Sequence, residues 1–219
     1  MAQMSLAGHE DILKLFEDLN SEDISDPKNG WKLSLDMVEK DGVKCQVYQR
    51  PIPGRGIKMC KNETIMRNIT IEAWYEFSTN FMKYMGDDPN FKRDNAAPPK
   101  PLEMSDDRRH AVFFSRSKFG PMASDRESLV QQDYIQLEPK KFLLIARSVE
   151  RDSHPINSDC VRMEYFRAQL VKEVDGDILT TGFSNIDFKG YFPTSLMNMI
   201  LSSMIQGGKK STYKYLTKI

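Results

Sequence analysis

Histidine, serine and glycine-lysine patterns are the features of this chain that most resemble catalytic or phosphate-binding chemistry. The three histidines, His9, His110 and His154, have no nucleophilic motif beside them, and neither G-x-S-x-G nor H-E-x-x-H occurs. The stretch SMIQGGKKST lacks the first glycine of a phosphate-binding loop and has Lys210 at the Ser/Thr position. We therefore predict no catalytic residue, no bound cofactor and no enzymatic activity.

The three cysteines have neither the number nor the spacing of a disulfide framework or a metal site. Cys45, Cys60 and Cys160 are widely separated and form no C-x-x-C pair. We interpret them as reduced structural thiols and predict no metal site. The N-terminal residues show no basic region followed by an apolar core, so the sequence contains no secretory signal of the usual kind and predicts a cytoplasmic protein.

Composition favours one sizeable globular domain. The chain has 219 residues, of which 40% are hydrophobic, and 31 Lys and Arg residues balance 31 Asp and Glu residues. This balance gives no broad basic surface and therefore argues against a nucleic-acid partner. A single domain over 1–219 is the simplest organisation, and two smaller domains joined by the Pro-rich segment 86–109 are the alternative.

Hydrophobic spacing in the first half predicts helix, strands and helix. EDILKLFEDL places apolar residues on one helical face, and residues 32–50 alternate around Asp41-Gly42 as a hairpin. A further strand covers 56–66, and a helix covers 70–86. The segment 86–109 is charged and rich in proline, which predicts irregular surface structure.

The second half is typical of an antiparallel sheet. Five strand-length segments follow one another without helices: HAVFFSRSKF, ESLVQQDYIQL, KKFLLIARSV, CVRMEYFRAQLVKEV and DILTTGFSNIDF. Asp175-Gly176 marks a hairpin turn between the last two. Such a meander predicts antiparallel pairing.

The C-terminal segment predicts a helix with an unusually wide apolar face. Pro193 suits a first helical position and Gly207-Gly208 a C-terminal end, while seven of the ten residues from Leu196 to Ile205 are Leu, Ile or Met. The helix is too short to span a bilayer. We predict an α+β fold in which a curved antiparallel sheet carries this helix, either as packed core or as the wall of an apolar cavity.

Four segments in order resemble the START family of lipid-transfer domains. They are FGPMASDRESLV, FLLIARSV, CVRMEYFRAQLV with Asp175-Gly176, and IDFKGYFPTSLMNMILSS. The first is similar to the family's Pro-x-Arg-Asp strand entry, with Glu127 in place of the usual Asp. The last is similar to the family's Asp-x-x-Gly-x-x-Pro turn and lid-like helix. The resemblance extends over nearly the whole chain.

The resemblance implies a helix-grip fold, in which the curved sheet wraps around the long C-terminal helix and encloses a hydrophobic tunnel for one lipid. Flexible methionine side chains suit the wall of such a tunnel. The implied wall and lid residues are Leu196, Met197, Met199, Ile200, Leu201 and Met204.

The resemblance also implies positions for a lipid head group. Lys92 and Asp94 fall near the positions of the charged pair that holds phosphate in phosphatidylcholine-binding relatives, and Arg93 is the alternative for the positively charged residue. The positions of the choline cage fall at Phe114, Ser128 and Phe166, so one aromatic is replaced by a hydroxyl. Arg162 matches a basic position of the family and is either a donor to the lipid or the partner of a neighbouring Glu.

The resulting hypothesis is a monomeric protein that binds one phospholipid or sterol, contacts membrane surfaces transiently and transfers the lipid between them. A lipid-sensing regulatory module is one alternative. A helix-grip cyclase or isomerase acting on a hydrophobic ligand is the other, and it would need a catalytic acid or base, for which Glu164 and Arg162 are the candidates.

Overall fold

A computed structural model of the chain describes residues 9–38, 42–85, 95–118, 123–191 and 212–217. Within these ranges the helices are α1 (Glu10–Ser21), a 3₁₀ turn (Pro27–Asn29), α2 (Ile71–Thr79) and α3 (Phe81–Met85), and residues 212–216 are also helical. The predicted C-terminal helix, including Leu196, Met197, Met199, Ile200, Leu201 and Met204, lies outside the described residues, as do Lys92, Arg93 and Asp94.

Ten strands make up the sheet in the part of the chain that the structure describes. Their bounds are β1 (Lys32–Val38), β2 (Val43–Pro51), β3 (Lys58–Met66), β4 (Asn95–Met104), β5 (His110–Ser117), β6 (Asp125–Glu138), β7 (Lys141–Ser148), β8 (Cys160–Arg162), β9 (Glu164–Val174) and β10 (Asp177–Asp187). The order of neighbours is β1-β2-β3-β10-β9-β7-β6-β5-β4, and β8 pairs separately with β6.

The prediction of a large antiparallel sheet is confirmed. Strands β1 with β2, β2 with β3, β3 with β10, β4 with β5 and β5 with β6 are antiparallel. The short strand β8 is the exception, since it pairs with the first residues of β6 in parallel. This added pairing places residues from both neighbours, β5 and β8, beside the start of β6.

The described residues form two compact units built from interleaved parts of the chain. The first unit contains the described residues up to Ile71 together with Tyr134–Ile145 and Arg167–Asn185. The second contains the described residues of 72–133, Ala146–Phe166 and the described residues from Ile186 onward. The Pro-rich segment 86–109 does not separate them.

Aromatic packing forms the core on one face of the first unit. The Phe16 ring of α1 meets Phe183 of β10 edge to face, with 5.4 Å between ring centroids, and Trp31 lies 6.2 Å from the same ring. Lys61 places its ammonium 5.7 Å from the Phe183 centroid. Phe16, Trp31 and Phe183 are all buried, and the apolar spacing of α1 predicts the burial of Phe16.

In the second unit, α2 packs through its own apolar residues. Trp74 and Phe77 are buried, and the Phe77 ring stacks on Tyr215 with 6.4 Å between centroids. Phe77 also contacts Tyr84 of α3 at 5.6 Å. The short helices are therefore held by side-chain packing, as expected for helices too short to be stable alone.

The turn between β9 and β10 has the predicted hairpin geometry. Asp175 and Gly176 both have positive φ angles, of 53° and 81°, as the mirror-image two-residue turn requires. Glycine adopts this region without a steric penalty, and Asp is one of the few other residues that tolerate it.

The predicted single helix over 70–86 is wrong, because two helices meet at Asn80. The Thr79 hydroxyl donates to the Tyr75 carbonyl at 2.9 Å, and the side-chain Nδ2 atom of Asn80 donates to the Glu76 carbonyl at 3.0 Å. Side chains of these types compete for the carbonyls that a continuing helix uses. The break therefore falls where two such residues are adjacent.

The prediction of an irregular segment at 86–109 is also wrong, since β4 occupies part of it. This strand contains Pro98, Pro99 and Pro101. It ends the strand order, so the absent N–H groups need no partner on the outer side, and its register with β5 shifts at three places. Proline composition alone does not exclude an edge strand.

The predicted strand 160–174 is divided into β8 and β9 at Met163. The Met163 N–H donates to the Glu127 carbonyl at 3.0 Å, which continues the pairing of β8 with β6 by one residue. Strand β9 then takes β7 as its neighbour. The segment therefore changes partners, which alternation of side chains cannot reveal.

Two further observations concern thiols and membranes. Cys45, Cys60 and Cys160 are free and buried, in agreement with the interpretation as reduced structural thiols. Among the described helices, none has the length and apolar character needed to cross a bilayer.

Candidate functional site

Two oppositely charged residues are buried next to each other at the start of β6, in the second unit. Arg126 is 1% exposed and Glu127 is fully buried. Successive strand residues point to opposite faces, so each charge needs its own partners. The strands on either side supply some of them, because Glu127 lies opposite Arg116 of β5 and opposite Arg162 of β8.

Glu127 forms a cluster with the buried Arg162 and with Asn157, which is an exposed residue. Its Oε1 atom accepts hydrogen bonds from Arg162 Nε at 3.0 Å and Nη2 at 2.8 Å. The Asn157 side-chain amide donates to Oε2, and the Asn157 backbone N–H donates to Oε1 at 3.3 Å. Arg162 thus neutralises the buried carboxylate, and both residues donate hydrogen bonds to it, which is the condition for burying charge.

Arg162 retains one donor that the cluster does not use. Its Nη2 atom donates to the His154 carbonyl at 3.0 Å, but its Nη1 atom is buried and has no hydrogen-bond partner among the described residues. The nearest counter-charge is a carboxylate oxygen of Glu150, 3.8 Å from Nη1 and beyond hydrogen-bond distance, on a side chain 79% exposed. The Arg162 side chain is itself only 6% exposed. Nη1 is therefore the one guanidinium nitrogen of Arg162 without a hydrogen-bond partner among the described residues.

Arg126 has a different role on the other face of β6. It donates from Nε to the Phe188 carbonyl at 2.7 Å and from Nη2 to the carbonyls of Lys189 and Tyr191 at 3.2 and 3.4 Å. Its Nη1 atom donates to the Ser124 carbonyl. Burial lowers the pKa of Arg126 from its ordinary value. One side chain thus fastens residues 188–191, the segment that follows β10, to β6.

Two sets of partly exposed ion pairs lie in the same unit as the buried arginines. Arg116 pairs with Asp125 and Asp159, at 2.9 Å in each case, and its hydrogen bond lowers the pKa of the Asp159 carboxyl. Lys189 pairs with Glu164 at 2.9 Å and with Asp187 at 3.1 Å, and the bond to Glu164 raises the pKa of Lys189. The Glu164 carboxylate is half-exposed and is engaged in this surface pair.

The structure brings Phe114 and Arg162 together and separates them from Ser128. Phe114 is opposite Leu129 in the β5–β6 register, and Leu129 is two residues from Glu127, so Phe114 and Glu127 lie on the same face. The Phe114 ring centroid lies 6.2 Å from that of His154. The carbonyl of His154 in turn accepts from Arg162. Ser128 lies on the opposite face of β6, where its hydroxyl is 2.8 Å from that of Ser115.

The remaining cage position, Phe166, is half-buried in β9. The three positions do not share one face of the strands, because the β5–β6 register separates Phe114 from Ser128. The residue that sequence reasoning undervalued is Glu127, which was noted only as a departure from a family pattern. Its adjacency to Arg126 in a strand was the available signal, since two neighbouring charges in a buried strand must both be paired.

No group of three or more His, Cys, Asp or Glu side chains suitable for a metal ion occurs within the described ranges. The polar atoms at the start of β6 are instead donors and acceptors already arranged in pairs, apart from Arg162 Nη1. Such an arrangement can donate a charge-assisted hydrogen bond to an oxygen.

The architecture defines an α+β protein built on one large, mostly antiparallel sheet. Its fold is that of START domains. Human STARD10 matches it with a TM-score of 0.74 at 14% identity, over 99% of this chain and 82% of that one. Human StAR-related lipid transfer protein 5 matches with a TM-score of 0.69 at 15% identity, over 95% and 94% of the two chains.

A bacterial protein has the same fold. The STAR-related lipid transfer protein from Xanthomonas axonopodis matches with a TM-score of 0.67 at 18% identity, covering 86% of this chain and 99% of that one. Neither a protein-family model nor a curated protein sequence matches the chain. The similarity to START domains is therefore a similarity of fold.

Proposed function

We propose that this protein binds one lipid molecule, a phospholipid or a sterol, and transfers it between membranes without covalent chemistry. The observation that carries the proposal is the START fold, shared over most of the chain with structures named as StAR-related lipid transfer proteins. The lipid is the ligand, and the membrane contact is transient.

The physical reason for such a carrier is the cost of exposing acyl chains to water. At about 0.8 kcal/mol per CH₂ group, two acyl chains with some 28 methylenes carry a cost of roughly 20 kcal/mol. A protein that shields these groups removes most of the barrier to leaving a bilayer. A cytoplasmic monomer of this size, free of a membrane-spanning helix in its described part, suits that role.

Within this proposal, Arg162 is the residue of the second unit that contacts an oxygen of the lipid. Its Nη1 donor is buried and unused, and Phe114 lies on the same side of the sheet next to His154. A charge-assisted hydrogen bond from an arginine whose other nitrogens are fixed by Glu127 costs little reorganisation. The pair with Glu127 orients the guanidinium.

An enzymatic role has less support from the described residues. Glu164, the acid or base considered for a cyclase or isomerase, is half-exposed and pairs with Lys189. Arg162 is a poor base because a guanidinium does not lose its proton in a protein. A sensing role remains an alternative that uses the same lipid-binding site.

Native mass spectrometry after incubation with vesicles of phosphatidylcholine and cholesterol tests the binding step. We expect a complex of one protein and one lipid, and extraction then identifies which lipid is bound. A protein that stays free of lipid in the presence of both would contradict the proposal. Unfolded protein is recognised in the same spectrum by its higher charge states and serves as the internal control.

A further inference from the structure

A second set of polar groups lies in the first unit, on one face of strands β2, β3 and β10. Asn62 of β3 is opposite Gly182 of β10, and Thr64 is opposite Thr180. Because side chains alternate along a strand, these four positions share a face. Asn62 and Thr180 are therefore diagonal neighbours on it.

Two oxygen atoms on this face have no hydrogen-bond partner among the described residues. Thr180 is 3% exposed and its hydroxyl is unpaired. The side-chain Nδ2 atom of Asn62 donates to the Gly182 carbonyl at 3.2 Å, while its Oδ1 atom is buried and accepts no hydrogen bond. A buried polar atom without a partner is unfavourable, because it has lost its hydrogen bonds to water, so a partner at this point is favoured.

The neighbouring threonine shows that the face does not leave every hydroxyl unpaired. Thr64 is 2% exposed, and its hydroxyl donates to the Cys45 sulfur at 3.4 Å. The threonine directly opposite Thr180 is thus satisfied internally. The unmet hydrogen bonds are specific to Asn62 and Thr180, which we call the polar pair.

Glycine at position 182 permits the close approach of polar side chains beside the polar pair. A Cβ atom there would lie 3.1 Å from the Asn62 amide nitrogen and 3.2 Å from Cγ of Gln169. Both distances are tighter than ordinary contacts. The side-chain Oε1 atom of Gln169 accepts a hydrogen bond from Arg167 Nη2, so the charge of Arg167 is bound by Gln169.

The chemistry of the polar pair selects the kind of group that satisfies it. Asn62 Oδ1 only accepts, so the partner must carry a proton, and the Thr180 hydroxyl both donates and accepts. A phosphate diester or a quaternary ammonium has no proton to give. A neutral hydroxyl has one donor and two acceptor positions, which match both atoms.

The apolar surroundings also favour a neutral group. The same face carries buried Val43, Cys45, Val47, Met66 and Ile178. An ion placed among such side chains loses its hydration without full compensation, whereas a hydroxyl needs only one or two hydrogen bonds.

We propose that Asn62 and Thr180 form a polar subsite for the neutral hydroxyl of a lipid whose remaining body is apolar. A sterol 3-hydroxyl and the free hydroxyl of a diacylglycerol share this chemistry. The proposal rests on the proposed lipid-binding function and names the ligand class within it.

Substitution of Thr180→Val tests the subsite, because it replaces the hydroxyl with a methyl group of nearly the same volume. The matched control is Thr64→Val on the same face, and Thr180→Ser retains a hydroxyl. The probes are cholesterol and its 3-O-methyl ether, dioleoylglycerol and its acetate, and phosphatidylcholine. Dissociation constants are measured by competition between vesicles containing each lipid.

For the wild-type protein we expect at least one hydroxyl lipid to bind about tenfold more tightly than its blocked analogue, the equivalent of one or two neutral hydrogen bonds. Thr180→Val should abolish most of this preference, while Thr180→Ser and Thr64→Val should keep it. The cholesterol and dioleoylglycerol pairs separate a sterol from a glyceride.

Three results would overturn the subsite. If the wild type binds phosphatidylcholine or the blocked analogues as well as the hydroxyl lipids, the lipid-binding function stands and the subsite is wrong. If Thr180→Val keeps the wild-type preference, the polar pair binds only water. If no probe binds at all, both the subsite and the proposed function fail.

Discussion

Arg162→Met is expected to lower the free energy of unfolding by about 3–5 kcal/mol, because it leaves the buried Glu127 carboxylate without its cation. Glu127 is fully buried, and Arg162 provides two of its hydrogen bonds. Methionine fills a similar volume, so the loss reports the charge and not a cavity. Urea unfolding at neutral pH measures the change.

Two variants distinguish this explanation from a general loss of packing. Adding Glu127→Gln to Arg162→Met removes the uncompensated charge and should recover most of the lost stability. Arg151→Met removes a pair with Glu103 whose side chains are 36% and 47% exposed, and should cost less than about 1 kcal/mol. Equal losses for Arg151→Met and Arg162→Met would contradict the account.

Arg126→Met is expected to cost about 3–5 kcal/mol, since it removes charged hydrogen bonds to four backbone carbonyls at once. Three of these carbonyls belong to Phe188, Lys189 and Tyr191. The segment 188–191 should also become more mobile, because this arginine fastens it to β6. Urea unfolding gives the stability, and hydrogen exchange of the amides at 188–191 gives the mobility.

Arg116→Met is the matched control for Arg126→Met. Arg116 lies on the neighbouring strand β5, but its partners are partly exposed carboxylates and not backbone carbonyls. Its partners Asp125 and Asp159 have side chains 25% and 65% exposed, so its loss should cost under about 1 kcal/mol. Unchanged exchange at 188–191 in Arg126→Met would show that other contacts hold the segment.

Local patterns predicted most of the strands because each strand is long enough to show its alternation. The hairpin at Asp175-Gly176 was predictable from two residues that tolerate positive φ angles. The first helix was predictable from Ile12, Phe16 and Leu19, which are all buried. In these cases the local preference and the final packing agree.

The errors occur where a distant partner decides the local structure. β4 forms despite three prolines because β5 provides hydrogen bonds on one side only. β8 and β9 separate at Met163 because two different strands, β6 and β7, pair with the two halves. Sequence alternation carries no information about which strand is the neighbour.

The candidate site was predictable only in part. Arg162 was recognised as a residue that either contacts a ligand or pairs with a Glu, but its partner Glu127 is 35 residues away in sequence. The facing of Phe114 and Ser128 depends on the β5–β6 register, which residue types do not specify. The unpaired oxygens of Asn62 and Thr180 are equally invisible in sequence, because they result from what the neighbours leave unbonded.

The measurement that tests the central claim most directly is the rate of lipid transfer between donor and acceptor vesicles, with phosphatidylcholine and cholesterol followed separately. The account predicts that catalytic amounts of the protein accelerate the transfer of at least one of them well above the spontaneous rate, in proportion to protein concentration. Rates that stay at the spontaneous value for both lipids, with folded protein present, would contradict it.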